Sequence, residues 1–435
     1  MTPTLNQHLA TAILGIDTLW GGDVMCASGT GRFIADSWFS DERLPRAYTV
    51  VEAAPLRATG GVSAPTPDVD AINAYLDKID IPEALEALKS EPSEYVAGLV
   101  LCFEVMWDLA MERIGRVAPV PYERCVLAST GALPEPSDPA SKLDRVAQLL
   151  ACPPAGILAA VDAWRAQHRA GLDTVKQLGA DTIATFDRLT AANVVPHLPP
   201  DFRDVPRANI EFLPIKDAWF SGSMNYLGRA RRRDGSPEYE ATYEINASLE
   251  ISLPEFLQLV SHEVVPGHVT TFAYLQNLYW RGVAGFEASV LTMNTRAATL
   301  FEGIANNAIL MAYGVTEIEQ LPGRDLQLGV LLALLQDDAK NQSSYLTWGE
   351  NIAQPIVAQT LRRDFLVSTE RADKLSGAWG RHPLLGRMYL PCYRAGTLKV
   401  ADLRRRYPAE RVLPALYGAK GLVDITTAER ACNLP

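Results

Sequence analysis

The chain has 435 residues, 48% of them apolar and 21% charged, with a formal charge of -11. This composition excludes a disordered or fibrous chain and fits a soluble globular protein with room for a large core. The negative balance argues against nucleic acid or an anionic membrane surface as partner, because the one basic tract, residues 229–233, reads as a solvated loop.

The first predicted element is a helix ending at Leu19, followed by connections around Gly21, Gly29, Gly31, Gly60 and Gly61. The start lacks the basic residues and long apolar stretch of a signal peptide, and no apolar run is long enough for a bilayer. The expectation is a cytoplasmic protein. The six cysteines are scattered without a pair at metal-ligand spacing, so reduced, mostly buried thiols are expected.

Residues 67–77 open a second helix, and the caps and spacing from Ser93 to Gly115 predict a long core helix. Glu104 and Asp108 lie four apart on it with no histidine nearby, and read as a polar stripe. Residues 134–139 form a Pro-rich acidic connection, and residues 155–195 predict one long helix or two bent at Gly179. His168 and His197 have no companion at ligand spacing. Residues 196–206 mark the best boundary, between an N-terminal helical region (1–205) forming one wall of a cleft and a catalytic region (206–435), possible parts of one continuous domain.

Short segments at 211–213, 220–226 and 241–245 are rich in aromatic and β-branched residues, with a turn at 234–237. They predict a small antiparallel sheet just before residues 252–268, SLPEFLQLVSHEVVPGH. There Ser252 and Glu255 form a capping box and Pro254 occupies the first turn, so a helix starts. His262 and Glu263 fall on this helix, the carboxylate on its apolar side. A histidine beside a glutamate on a helix is how zinc hydrolases place a ligand next to a general base. His268 follows six residues later, which in an unbroken helix is about 9 Å further along and about 120° round. The helix must therefore bulge or kink, and Pro266 and Gly267 permit that.

His-Glu-Val-Val-Pro-Gly-His resembles the HExxPGH motif of a widespread bacterial family of domains of unknown function, itself similar to zinc metallopeptidases of the gluzincin type. Phe301, Glu302, Gly303 and Ala305 match that family's Phe-Glu-Gly-Trp-Ala segment, with Ile304 in place of the tryptophan. Tyr393, Arg394, Gly396, Leu398 and Lys399 resemble its Tyr-Lys-x-Gly-x-Leu-Lys patch. The likeness covers the C-terminal half from near residue 215. Val269 and Ile309 depart from a histidine and a glutamate of the family, and its Pro-Gly-Gln run is missing.

The resemblance implies a large helical metallopeptidase-like fold, with His262, His268 and Glu302 as ligands of one Zn²⁺ per chain. Two histidines and a carboxylate also suit Mn²⁺, Co²⁺ or Fe²⁺. Residues 286–313 are expected to form the third-ligand helix. Thr295, Thr299, Glu302 and Asn306 make one polar stripe along it, and Asn306 would support the ligands. In gluzincin-like enzymes an edge strand before the motif pairs with substrate, which points to Tyr243 and Asn246. Residues 321–340 and 352–367 predict two more core helices, the second broken near Pro355. The last segment gathers His382, Arg387, Tyr389, Tyr393 and Arg394: Tyr393, or alternatively His382, would stabilise an oxyanion, and Arg394 or Arg387 would hold a substrate carboxylate.

The expected fold is thus mainly α with a small antiparallel sheet before the motif helix. The expected function is zinc-dependent hydrolysis of a peptide or small amide, with Glu263 as general base. Two alternatives stand beside it: a metal-dependent enzyme acting on a non-peptide small molecule in a specialised pathway, and a helical binding protein with a vestigial site.

Overall fold

The structure is a computed structural model that describes residues 4–20, 34–39, 68–170, 175–215, 222–228, 230–246 and 251–434. The connections around Gly21, Gly29, Gly31, Gly60 and Gly61 lie outside the described residues. The fold is mainly α, and its helices begin where polar caps meet apolar periodicity. Leu5–Leu19 starts in a capping box of Thr4 and Gln7, and Glu94–Arg113 starts at Ser93, whose hydroxyl accepts from the Val96 N–H. Glu104 and Asp108 pair with Lys89 and Arg124 at the surface, at 2.8 and 2.6 Å.

Four helices build the centre. The motif helix Leu253–Glu263 packs on both Arg296–Ala312 and Arg324–Ser344, and Leu390–Arg406 packs on the latter two. Arg296–Ala312 is buried at every position from Ala297 onward, so its polar groups must find partners inside the protein. It crosses Leu390–Arg406 backbone to backbone. A Cβ on Gly303 would lie 2.3 Å from the Gly396 carbonyl oxygen, and one on Gly396 would lie 2.0 Å from that of Thr299.

One continuous apolar core runs from Leu9 to Cys432 and takes side chains from both sides of residue 205. A smaller core joins Val146, Val161 and Trp164 to Leu328 and Leu335. Helix Val175–Asn193 runs straight through Gly179, which packs on the Phe212 ring. Among the described residues the cysteines are free, and burial pushes the Cys102 and Cys392 thiols up to about 12.

The sheet before the motif helix has Ala241–Asn246 in the middle, antiparallel to Gly222–Tyr226 and parallel to Ile210–Ile215. The third-ligand helix is shorter than residues 286–313. Phe286–Ala288 is a 3₁₀ turn and Val290–Thr292 a buried strand, antiparallel to Ala35–Trp38, before Thr295 caps Arg296–Ala312. A short buried strand carries no alternation, so its apolar run reads like the helix it precedes. Arg324–Ser344 begins three residues later than its pattern and runs into a π turn, Tyr345–Gly349. Gln354–Phe365 is unbroken, with Pro355 in its first turn, where a missing N–H costs nothing.

Candidate metal centre

The motif helix stops at Glu263 and a new helix, His268–Trp280, starts five residues on. Between them the Val265–Pro266 bond is cis, and Gly267 adopts φ -78°, ψ -131°. The chain doubles back so closely that a Cβ on Gly267 would sit 1.8 Å from the His262 carbonyl oxygen. Only a glycine fits there. Tyr417 donates to the Pro266 carbonyl at 2.8 Å, and the Thr270 N–H donates to that of Val264 at 3.1 Å, fixing the reversal. The His262 and His268 rings end 4.8 Å apart and nearly perpendicular.

Glu302 closes the group from the neighbouring helix. Its Oε2 lies 3.5 Å from His262 Nε2 and 3.7 Å from His268 Nε2, and it has no hydrogen-bond partner. The other oxygen, Oε1, accepts from the Tyr389 hydroxyl at 2.6 Å. His262 Nδ1 lies 2.8 Å from Asn306 Oδ1, which makes Nδ1 the donor and turns the Nε2 lone pair toward Glu302. Asn306 Nδ2 donates to Thr397 Oγ1 at 2.8 Å, and that hydroxyl donates to the Tyr393 carbonyl at 2.7 Å. One imidazole is thus oriented by a chain reaching the next helix, the support that metal-binding histidines need.

The electrostatics favour ligands in their binding forms. Burial, reinforced by His268, pulls His262 down to about 3, so it is neutral. Burial alone would raise the Glu302 carboxyl. His268, by charge and hydrogen bond, with Lys340, outweighs it and holds the group at about 2, ionised. Glu263 is half-buried, and its acceptor atoms come within 4.8 Å of those of both histidines. Two carboxylates therefore meet the imidazoles. Glu302, buried and tied to Tyr389, has the fixed geometry of a ligand, while Glu263 is the less buried of the two.

The other predicted residues divide. Tyr393 lies in the same neighbourhood, its ring 5.2 Å from that of Tyr389 and capped by the Lys340 ammonium 3.2 Å from its centroid. Lys340 is itself paired with Asp337 at 2.9 Å. Tyr389 ends a π turn, Leu385–Tyr389, a distortion that often marks functional sites. Arg394 is not a free anchor: its Nε sits 3.5 Å from the buried carboxylate of Asp338, which Lys142 also holds at 2.7 Å. Arg387 makes two 3.0 Å bonds to Glu112, donates to the Pro383 carbonyl and lies over the Trp348 ring. It is a structural clamp.

His382 is buried beside Trp20, and its Nδ1 accepts the N–H groups of Leu384 and Leu385 at 3.2 and 3.1 Å. Its Nδ1 caps a turn. Ala241–Asn246 has a strand on each side, so no edge is left for a substrate backbone, and the Asn246 side chain lies outside the described residues. Tyr243 contributes only through its side chain. Lys340 escaped the sequence reading, because the Tyr393 ring that it caps lies far away in the chain.

Burial, then the positive charges of Arg113 and Arg387, pull His382 down to about 3 from the ordinary histidine value of 6.5. Between those values the unfolded chain binds a proton that the folded one refuses, so stability falls as pH drops from 6.5 toward 3. From pH 7 to pH 5 this one group is expected to cost about 2 kcal/mol. Urea unfolding at both pH values checks it: His382→Gln should lose less on acidification than the parent protein.

No family model matches the chain, and no curated protein matches it. Two solved structures share the fold. One, provisionally described as a lipoprotein from Colwellia psychrerythraea, superposes with a TM-score of 0.50 at 14% identity over 89% of this chain and 64% of its own. The other, provisionally described as a lipoprotein of unknown function from Shewanella oneidensis, gives 0.51 at 14% identity over 88% and 78%. The chain thus spans less than two thirds of the Colwellia protein. These findings correct two expectations. Membership of a gluzincin-like family is not supported, since no family model or curated relative carries it and the neighbours have no such description. A cytoplasmic location is withdrawn as well, because both of these neighbours are described as lipoproteins, which are membrane-anchored. Among the described residues no single helix is long and apolar enough to cross a membrane. What 14% identity carries over is the fold alone.

Proposed function

We propose that this protein is a metal-dependent hydrolase acting on a peptide or small amide bond. The observation that carries the reading is the buried Glu302 Oε2, without a hydrogen bond yet 3.5 and 3.7 Å from two imidazole nitrogens. An unsatisfied buried carboxylate oxygen is costly, and a cation shared with the two Nε2 atoms removes the cost. His262, His268 and Glu302 would hold Zn²⁺, the ion that two imidazoles and a carboxylate suit best. When bound, zinc polarises a carbonyl and brings the pKa of water to about 7.

The chain supplies the rest. Glu263 accepts the proton from the attacking water and returns it to the leaving nitrogen. Asn306 and Thr397 keep the His262 lone pair aimed at the ion. Tyr389 fixes the Glu302 carboxylate, leaving Tyr393 to donate to the developing oxyanion.

Elemental analysis tests the site without any substrate. The purified protein, incubated with zinc and desalted, should carry about one ion per chain, and a His262→Ala, His268→Ala variant none. Equal metal content in both would overturn the proposal. A panel of dipeptides and N-acyl amino acids would then test the reaction.

A further inference from the structure

Helix Arg324–Ser344 carries a buried ion pair that supplies no ligand to the metal centre. Lys340 and Asp337 stand one turn apart, both buried, with the ammonium 2.9 Å from the carboxylate. Such a pair is a weak source of stability, because desolvating the two ions offsets most of their attraction. Its location is more telling. The ammonium lies 3.2 Å from the centroid of the Tyr393 ring, that ring is edge-on to Tyr389 at 5.2 Å, and the Tyr389 hydroxyl donates to Glu302 Oε1 at 2.6 Å. Two adjacent phenols thus stand between a buried positive charge and the third ligand.

A phenol that donates to a developing oxyanion takes on negative charge as the hydrogen bond tightens, and its ring shares that charge. A cation over the ring face is already attracted by the π-electrons, and the attraction grows as they gain charge. Tyr393 is buried, so little water screens the interaction. The ammonium therefore favours the transition state over the bound substrate, which is the kind of contact that speeds a reaction. Asp337 completes the arrangement. A lysine ends a flexible four-carbon stem, and the carboxylate one turn back fixes where its ammonium rests.

We infer that Lys340 is a positioning residue for the hydrolytic step: its ammonium, capping the Tyr393 ring, makes that hydroxyl a stronger donor to the oxyanion. This inference rests on the hydrolase reading above and deepens it. Lys340 acts through Tyr393 and has no contact with the ion or the substrate. What matters is its charge at the ring. A substitution that keeps the ammonium and removes the carboxylate should be tolerated, and one that removes the ammonium should not.

Two small zinc-binding probes test it on the zinc-loaded protein, with calorimetry as the readout. Methylphosphonate is a tetrahedral oxyanion that can give one oxygen to the ion and another to the phenol; 2-mercaptoethanol binds the ion through sulfur and offers the phenol no anionic oxygen. Lys340→Met alone would leave Asp337 buried and unpaired, so it is combined with Asp337→Asn. The paired variant should bind methylphosphonate about 5- to 30-fold more weakly and the thiol within about threefold of the parent. Asp337→Asn alone, which keeps the ammonium, should stay within about threefold for both. In a Tyr393→Phe background the paired change should cost less than about twofold more, because the hydroxyl it acts through is gone. A merely structural staple gives a different pattern: Asp337→Asn weakens methylphosphonate as much as the paired change, and the loss persists without the Tyr393 hydroxyl. Either result, or a zinc-loaded parent that does not bind methylphosphonate, would overturn the inference. If the paired variant does not fold, Asp337→Asn still decides between charge and staple. Zinc content separates the two failures: a zinc-loaded protein showing the staple pattern loses only the role of Lys340, while a protein without zinc loses the hydrolase reading and this inference with it.

Discussion

Gly267→Ala is expected to destroy the metal centre. The added methyl group would lie 1.8 Å from the His262 carbonyl oxygen and 2.5 Å from both the His262 carbonyl carbon and the Ser261 oxygen. All three are backbone atoms of the last helical turn, so no side-chain rotation relieves the overlap. Either the reversal opens or the motif helix frays. Both separate two imidazoles that now stand 4.8 Å apart. The expected cost is about 3 kcal/mol or more of stability, above ordinary overpacking because backbone must move. Zinc affinity should drop by at least about 100-fold, since a ligand displaced by an ångström leaves its coordination sphere. Gly156→Ala is the control: its nearest neighbour is 3.8 Å away on the Pro153 side chain, and it should change neither property. Thermal unfolding and elemental analysis of both variants check this. A Gly267→Ala protein with parental melting and one bound zinc would show that the reversal is not needed.

The motif was legible because each of its parts is local. A serine cap with a proline in the first turn starts the helix, and Pro266-Gly267, just past Glu263, breaks it. Glu302 was marked as a ligand by the resemblance, and a local pattern agreed with it: Thr295, Thr299, Glu302 and Asn306 repeat at helical spacing in an otherwise apolar stretch. In the structure Thr295 caps the helix, Thr299 donates to the Ser129 carbonyl at 2.7 Å and Asn306 orients His262. A polar stripe on a buried helix reported its partners before any of them was known.

What failed to be legible depends on partners distant in sequence. Arg387 and Arg394 look like anchors in a stretch crowded with donors, yet Glu112, 275 residues away, and the buried Asp338 claim them. No local pattern announces a long-range ion pair. Tyr389 was passed over for Tyr393 because only Tyr393 lies in the stretch that resembles the family's patch, while in the structure it is Tyr389, at the end of the π turn, that donates to Glu302. Lys340 shares this history only through Tyr393, since Asp337 lies one turn away. Its ammonium stacks on Tyr393 and pairs with Asp337 in the middle of a helix that read as plain core. The central strand carries the same lesson, since pairing order is a tertiary choice that strand propensity leaves open.

Glu263→Gln is expected to keep the metal and lose turnover. Glutamine matches the carboxylate in size and hydrogen bonding but accepts no proton at neutral pH, so it removes the base without a cavity. General-base catalysis contributes about 10²- to 10⁴-fold, and kcat should fall by that factor while KM changes little. The variant also decides between the two carboxylates. Glu263 and Glu302 both reach the imidazoles, Glu263 with its acceptor atoms within 4.8 Å and Glu302 with Oε2 at 3.5 and 3.7 Å. Were Glu263 the third ligand, Glu263→Gln would lose zinc and Glu302→Gln would retain it. The fixed bond from Tyr389 and the burial of Glu302 predict the reverse: Glu302→Gln loses the ion, and Glu263→Gln binds it as the parent does. Zinc content and kcat on the same two preparations settle the roles, and an active Glu263→Gln enzyme would remove Glu263 from the chemistry.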